Sequence, residues 1–397
     1  MPYIIRKFEK ENLIRIFMPF VVGLSLLYRL TPTWVRSQPI IGKTSYPVYA
    51  LMAVTAIIIT IRKFRYDDFY LWLVLFLGFR VFTTLINGQE IGWVVLSSVM
   101  CYSLVVILCY SFVVNRSGTL KVLSLLTFSL LLINLLDILQ KHGIVPGHFF
   151  VGEFIENHNS YIHFFLIAIT ASYLWMEESR DPCSAIIWLL LFGIVCVTYY
   201  YEKSTTSIIG LALLYSYLLL FNSNWTRKFL NIYVYLLGVS AFFLLFVCGG
   251  NRGKLTEAFL KLMGKSSDLT RRVMIWRDYL SMWKKSPVIG YGVLRDTALS
   301  NTMYGLFSRF DASAHNIVLN LGFQTGIAGL VTLIIAGAKA MEMRYTIKNE
   351  RVRYFFEALI GMTLLMSMFE AYSIEIYIFL ISVIYIYPKC DRRNDNE

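Results

Sequence analysis

Two short runs hold the residues with the most chemical potential. The first, DLTRRVMIWRDYLSMWKKSPVIGYG, covers residues 268–292, and the second, SAHNIVLNLGFQTGIAG, covers residues 313–329. In the first, Leu269, Val273, Trp276, Leu280 and Trp283 recur at helical spacing until Pro287 and Gly290 stop the run. At about 100° per residue, Arg272 falls inside that apolar stripe and Arg271 points the other way. A cation on a greasy face either binds an anion at a membrane surface or snorkels to water. Arg277, Lys284 and Lys285 read as a solvated face. In the second run, Ser313 is the expected helix cap, with Ala314, His315 and Asn316 in the first turn. A helix start offers N–H groups and a positive dipole end, which favour phosphate. His315 is thus expected beside an anion, and imidazole suits proton transfer near neutral pH. The plain alternative is a capping or packing histidine. Together the two runs could neutralise a departing phosphate and deprotonate a hydroxyl.

The elements that must position these groups are membrane helices. The hydrophobic share of 57% against 16% charged excludes a soluble globule. Apolar segments at about 13–30, 46–61, 69–86, 91–114, 122–140, 159–176, 185–200, 206–221, 230–248, 314–337, 354–370 and 372–387 predict an all-α integral membrane protein of about twelve spans. The whole chain, 1–397, reads as one polytopic domain, with residues 249–313 a large external loop subdomain within it. No cleavable signal peptide is expected, because no small-residue cleavage site follows the first apolar run. Loop Lys and Arg concentrate in segments 1–12, 62–68, 115–121, 177–184, 222–229, 338–353 and 388–397, which places those segments and both termini in the cytoplasm. The external loop then carries eleven basic and five acidic residues, which suggests an anionic partner. The net charge of +12 is spread over short loops and is no nucleic-acid footprint. The six cysteines show no metal-ligand spacing and no disulfide framework.

Other groups are weighed the same way. His158 is either a ligand-contacting or an interfacial histidine; His142, His148 and His163 read as structural. Arg80 lies within a span, where an unpaired charge is costly, so it should face the bundle interior. It either pairs with Asp137 or Glu153 or touches substrate. Glu370 and Glu375 flank the last outer turn as interfacial polar groups. Trp276, Tyr279 and Trp283 suit an interface belt, although aromatic faces also stack on sugars. Gly322, Gly326 and Gly329 line one face of their span and suggest close helix contact.

RxxIW at 272–276, SPVIGYG at 286–292, AHN at 314–316 and GxxG at 326–329 resemble the O-antigen polymerase and O-antigen ligase family. The resemblance implies a fold like that of the integral-membrane glycosyltransferases, in the bacterial inner membrane with the active site facing outward. It implies transfer of a glycan from undecaprenyl diphosphate, with no divalent metal and no cofactor. Arg272 would hold the diphosphate, and His315 would activate the acceptor hydroxyl or orient the donor. Asn316, Trp276, Arg80, His158 and Asn159 would contact substrate. Where relatives show a Ser-Arg pair, this chain has Lys203-Ser204, so Lys203 would supply a point charge without the bidentate fork. Implied partners are a lipid-linked oligosaccharide donor and acceptor, membrane lipid, a chain-length regulator and a flippase, and no nucleic acid. The chemistry agrees: a well-placed charged donor supplies about 2.7–4 kcal/mol, and a general base about a hundredfold to ten-thousandfold. The outer loops contain no Asp-x-Asp pair for a metal. The expected activity is polymerisation of a surface glycan such as O-antigen or capsule, with ligation to lipid A core as the alternative. A flippase would show Gly/Pro-interrupted helices in corresponding halves. A peptidoglycan-type glycosyltransferase would rely on a loop carboxylate such as Asp278 or Asp296.

Overall fold

The computed structural model describes residues 2–29, 38–63, 67–147, 154–155, 161–179, 181–202, 210–211, 214–215, 231–248, 266–294, 314–368 and 373–394. These form α1 (Pro2–Arg29), α2 (Pro39–Lys63), α3 (Asp68–Ile86), α4 (Gly92–Lys141), α5 (Tyr161–Ser179), α6 (Pro182–Glu202), α7 (Ile232–Phe242), α8 (Ser266–Lys285), α9 (Ile317–Met343), α10 (Glu350–Met366) and α11 (Ile374–Asn394). A π-helical turn, Phe243–Cys248, extends α7. No strand occurs among the described residues.

Each helix is sorted by how much apolar surface it must hide. α5 is apolar on nearly every side and is buried along most of its length, so it sits inside the bundle. α2 instead leaves Leu51, Ile57, Ile58 and Ile61 exposed, as a lipid-facing helix does. α4 packs on α1, α2, α3, α5, α6 and α11 and is the central scaffold.

α4 is not one rod. Asn115 leaves helical geometry (φ −157°, ψ 78°). The hydroxyls of Ser111 and Thr119 lie 2.6 Å apart. In a straight helix eight residues climb about 12 Å, so the chain folds back on itself at Asn115. Asn115 secures the reversal by accepting Gly118 N–H at 2.9 Å and donating to Arg15 O at 2.9 Å. The separation of residues 91–114 from 122–140 expected from the sequence is therefore present.

Among the described residues, five helices are long and apolar enough to cross a membrane: Thr44–Ile61, Asp68–Ile86, Gly92–Lys141, Pro182–Glu202 and Ile317–Thr346. The sequence predicts about twelve spans. Asn12–Leu27 and Ile232–Leu245 are apolar but shorter. α5 ends on Glu177 and Glu178, and α10 carries Arg351, Arg353 and Glu357. Most of residues 206–221 lies outside the described residues.

The two ends of the bundle draw on different loops. At one end Arg116 pairs with Glu178 and donates to Tyr387 O at 3.1 Å. Lys389 reaches Asp67 at 2.5 Å, and Asn349 reaches Glu177 at 3.0 Å. Here too Arg344 and Glu357 form a buried pair at 2.9 Å, and Glu357 accepts Ile232 N–H at 3.2 Å. At the opposite end Asn87 donates to Gly290 O, and Asn316 to Met368 O. The grouping of loops into two sets by Lys and Arg content thus reappears as contacts.

Candidate functional site

α9 is broken where the sequence shows GxxG. Gly326 takes φ 63° and ψ −168°, a conformation reserved almost wholly for glycine. The break frees backbone groups that must be satisfied at membrane depth. The SPVIGYG segment satisfies them. Tyr291 N and Gly292 N donate to Phe323 O and Gln324 O at 2.8 and 2.9 Å. On the far side of the break, Ile327 N and Ala328 N donate to Pro287 O and Val288 O at 2.8 and 3.2 Å. A Cβ on Gly326 would lie 2.2 Å from Val288 O. The two motifs are therefore one device, a loop spliced into a discontinuous helix.

α3 holds the splice from behind. Thr84 Oγ1 donates to Arg80 O at 2.6 Å and accepts Val293 N–H at 3.0 Å. Asn87 donates to Thr83 O at 2.7 Å and to Gly290 O at 3.3 Å. Tyr291 stacks on Phe323, with ring centroids 5.0 Å apart. Thr84 and Asn87 were not singled out in the sequence; a Thr-Thr-x-x-Asn helix end is the signal, and it is a common one.

α8 is clamped to the start of α9 by its aromatic face. Trp276 is 0% exposed and donates Nε1–H to Ala314 O at 2.9 Å. It meets Phe242 edge-on, and Tyr279 meets Phe323 edge-on. Trp283 donates to Pro287 O at 3.2 Å. Trp276 and Tyr279 pack inside the protein and are not part of an interface belt, whereas Trp283 is half-buried. Arg272 lies one turn before Trp276 on the same helix, so α8 brings its backbone toward Ala314 and His315.

The helix start differs from the expected one. α9 begins at Ile317, and its cap is Asn316, not Ser313. Asn316 Oδ1 accepts Val318 N–H and Leu319 N–H at 3.0 and 3.1 Å. Ile317 N donates to Ser367 O at 3.0 Å, and Asn320 N to Asn316 O at 2.9 Å. The first N–H groups of α9 are thus occupied by the protein itself and do not offer the phosphate cradle expected of them. Asn316 Nδ2 donates to Met368 O at 3.2 Å, so its side chain, 0% exposed, is committed to structure on both sides.

His315 precedes the helix with φ 45°, the sole positive φ of a non-glycine residue among those described. Such a backbone costs an L-residue about 1–2 kcal/mol. It persists because both neighbours are pinned: Ala314 by Trp276, Asn316 by the end of α10. The imidazole is half-buried.

Arg80 is buried on α3, one turn below Thr84. Asp137, its suggested partner, accepts Phe154 N–H at 3.0 Å and lies 3.4 Å from Lys141 Nζ. Asp278, on α8, is held above the usual carboxylate range by burial, with Arg277 opposing. The side chain of Arg272, and Lys203, His158, Asn159, Glu153, Asp296, Ser313 and Glu370, lie outside the described residues.

The span from the first turn of α6 through the splice coincides with a known family model. Residues 186–334 match the family model described as O-antigen ligase. Over these residues the chain is similar to the O-antigen ligase family. Within the matched region lie most of α6, then α7, α8, the spliced loop, His315 and the break at Gly326. The helices α1 to α5 and α10 to α11 lie outside the matched region. A search of the curated proteins finds no match.

Proposed function

We propose that the chain is a metal-independent glycosyltransferase that polymerises a surface glycan. It moves the growing chain from undecaprenyl diphosphate to the non-reducing sugar of another lipid-linked repeat unit, on the outer face of the bacterial inner membrane. The observation that carries this reading is the clamp that draws the Arg272 helix onto the backbone of His315, inside the O-antigen ligase domain.

In this mechanism the Arg272 guanidinium takes up the negative charge that grows on the departing diphosphate. Lys203 and Arg80 add positive potential around it. His315 removes the proton of the incoming hydroxyl, and its fixed backbone aims the ring. The glycosidic C–O bond to phosphate breaks as the bond to the acceptor oxygen forms, with inversion. His158 and Asn159 contact the substrate. Asn316 and Trp276 position His315 rather than touching sugar. A chain-length regulator and a flippase are the expected partners.

Ligation of the same donor to lipid A core is the second reading, and the family match does not separate it from the first. Purified protein given lipid-linked repeat units alone, with chelator present, separates the two. A ladder of products supports polymerisation. Product formed solely when core acceptor is added supports ligation. Arg272→Ala and His315→Ala should each abolish product, and full activity in both variants would overturn the mechanism.

A further inference from the structure

The structure assigns a second polar group at the same end of the bundle, on helices outside the matched domain. Glu375, in the first turn of α11, accepts a hydrogen bond from Ser97 Oγ of α4 at 3.4 Å and another from Ser373 Oγ. Ser373 N donates to His163 Nε2 of α5 at 3.2 Å. The three helices α4, α5 and α11 pack on one another, and all begin at this end. Ser97 is buried; His163, Ser373 and Glu375 are half-buried, between the core and the surface.

We propose that Ser97, His163, Ser373 and Glu375 form a subsite for the hydroxyl-rich acceptor sugar. The inference rests on the glycosyl-transfer reading above. His163 Nε2 receives a backbone N–H, so that nitrogen carries no proton and the ring is neutral, with its own N–H on Nδ1. The group therefore consists of a carboxylate, two hydroxyls and an uncharged imidazole. A carboxylate repels a diphosphate, which assigns the cluster away from the donor's leaving group. Carboxylate oxygens and hydroxyls match the alternating donors and acceptors of a polyol.

Its place in the fold also fits. Ser367 O and Met368 O hold the start of α9 beside His315. Ser373 follows Met368 by five residues, a distance of at most about 18 Å along an extended chain. The cluster thus lies at most about 18 Å along the chain from the residue that holds the start of α9.

The test uses full-length protein in detergent and two probes. One is the repeat-unit oligosaccharide released from its lipid by mild acid; the other is undecaprenyl diphosphate. Equilibrium binding is measured for the unaltered protein, Glu375→Gln and Ser97→Ala, each confirmed monodisperse by size exclusion. Glu375→Gln should weaken oligosaccharide binding tenfold or more, and Ser97→Ala threefold or more, with undecaprenyl diphosphate binding unchanged in both. Loss of Glu375→Gln to misfolding leaves Ser97→Ala to decide. Unaltered oligosaccharide affinity, equal weakening of both probes, or no oligosaccharide binding by the unaltered protein overturns the subsite. The readout needs no turnover, so a protein that binds but never transfers sinks the glycosyl-transfer reading and leaves this one to be judged on affinity.

Discussion

His315 ties chemistry to strain in one residue. Its left-handed backbone is unfavourable by about 1–2 kcal/mol, and glycine would relieve that. His315→Gly should therefore raise the melting temperature slightly while abolishing transfer. A variant that loses stability would show that the ring serves packing instead. Asn316 makes the opposite case. Asn316→Ala removes a helix cap worth about 1 kcal/mol and the tie to Met368 O. It should lower kcat with little change in KM, as expected of a residue that aims another. A rise in KM alone would restore Asn316 as a substrate contact. Asp278 offers a pH test. Burial raises its carboxyl above the ordinary value. The folded state thus holds that proton more tightly than the unfolded state, and stability falls as pH rises through that window. Asp278→Asn should keep activity and flatten the acid side of the melting-temperature profile. Loss of activity would favour a loop carboxylate as the catalytic group.

Among elements, the splice of residues 287–292 into α9 is the most demanding. Gly326→Ala meets both a glycine-only backbone and the Val288 carbonyl 2.2 Å from its Cβ. It should lose 3 kcal/mol or more by the order of such penalties, about 1–3 kcal/mol for strain plus the clash. Gly337→Ala, on the same helix with open space at its Cβ, should be neutral. Equal melting temperatures for the two would refute the splice. The helical stripe on α8 was legible in the sequence because packing uses the same period that reveals it. The broken helix was not, since the glycine spacing of a kink and that of close helix contact are alike. What separates them is a partner strand of backbone about thirty-five residues earlier, and local pattern carries no record of such a partner. The cap moved from Ser313 to Asn316 for a similar reason. Both residues cap well by type, and contact with Met368 decided between them.

At the scale of the molecule, the end opposite the site is fastened by the Arg344–Glu357 pair, which joins α7, α9 and α10. Both partners are almost fully buried. Removing one leaves an uncompensated charge, at a loss of about 3–5 kcal/mol. Glu357→Leu alone should be severely destabilised, whereas Arg344→Met with Glu357→Leu should recover most of the loss. A double variant no better than the single would mean that the pair adds more than mutual neutralisation. The charge of the loops forecast which segments meet at each end, because the membrane sorts Lys and Arg by side. The number of crossings was less legible, because buried helices such as α5 need no lipid-matching composition. One consequence follows from the reversal at Asn115. Treated as a single crossing, the fifty residues of α4 would make the tally of passages wrong by one, and every downstream loop would be assigned to the wrong compartment. Paired reporter fusions at positions 117 and 143 would register that parity directly, with opposite signals from the two sites.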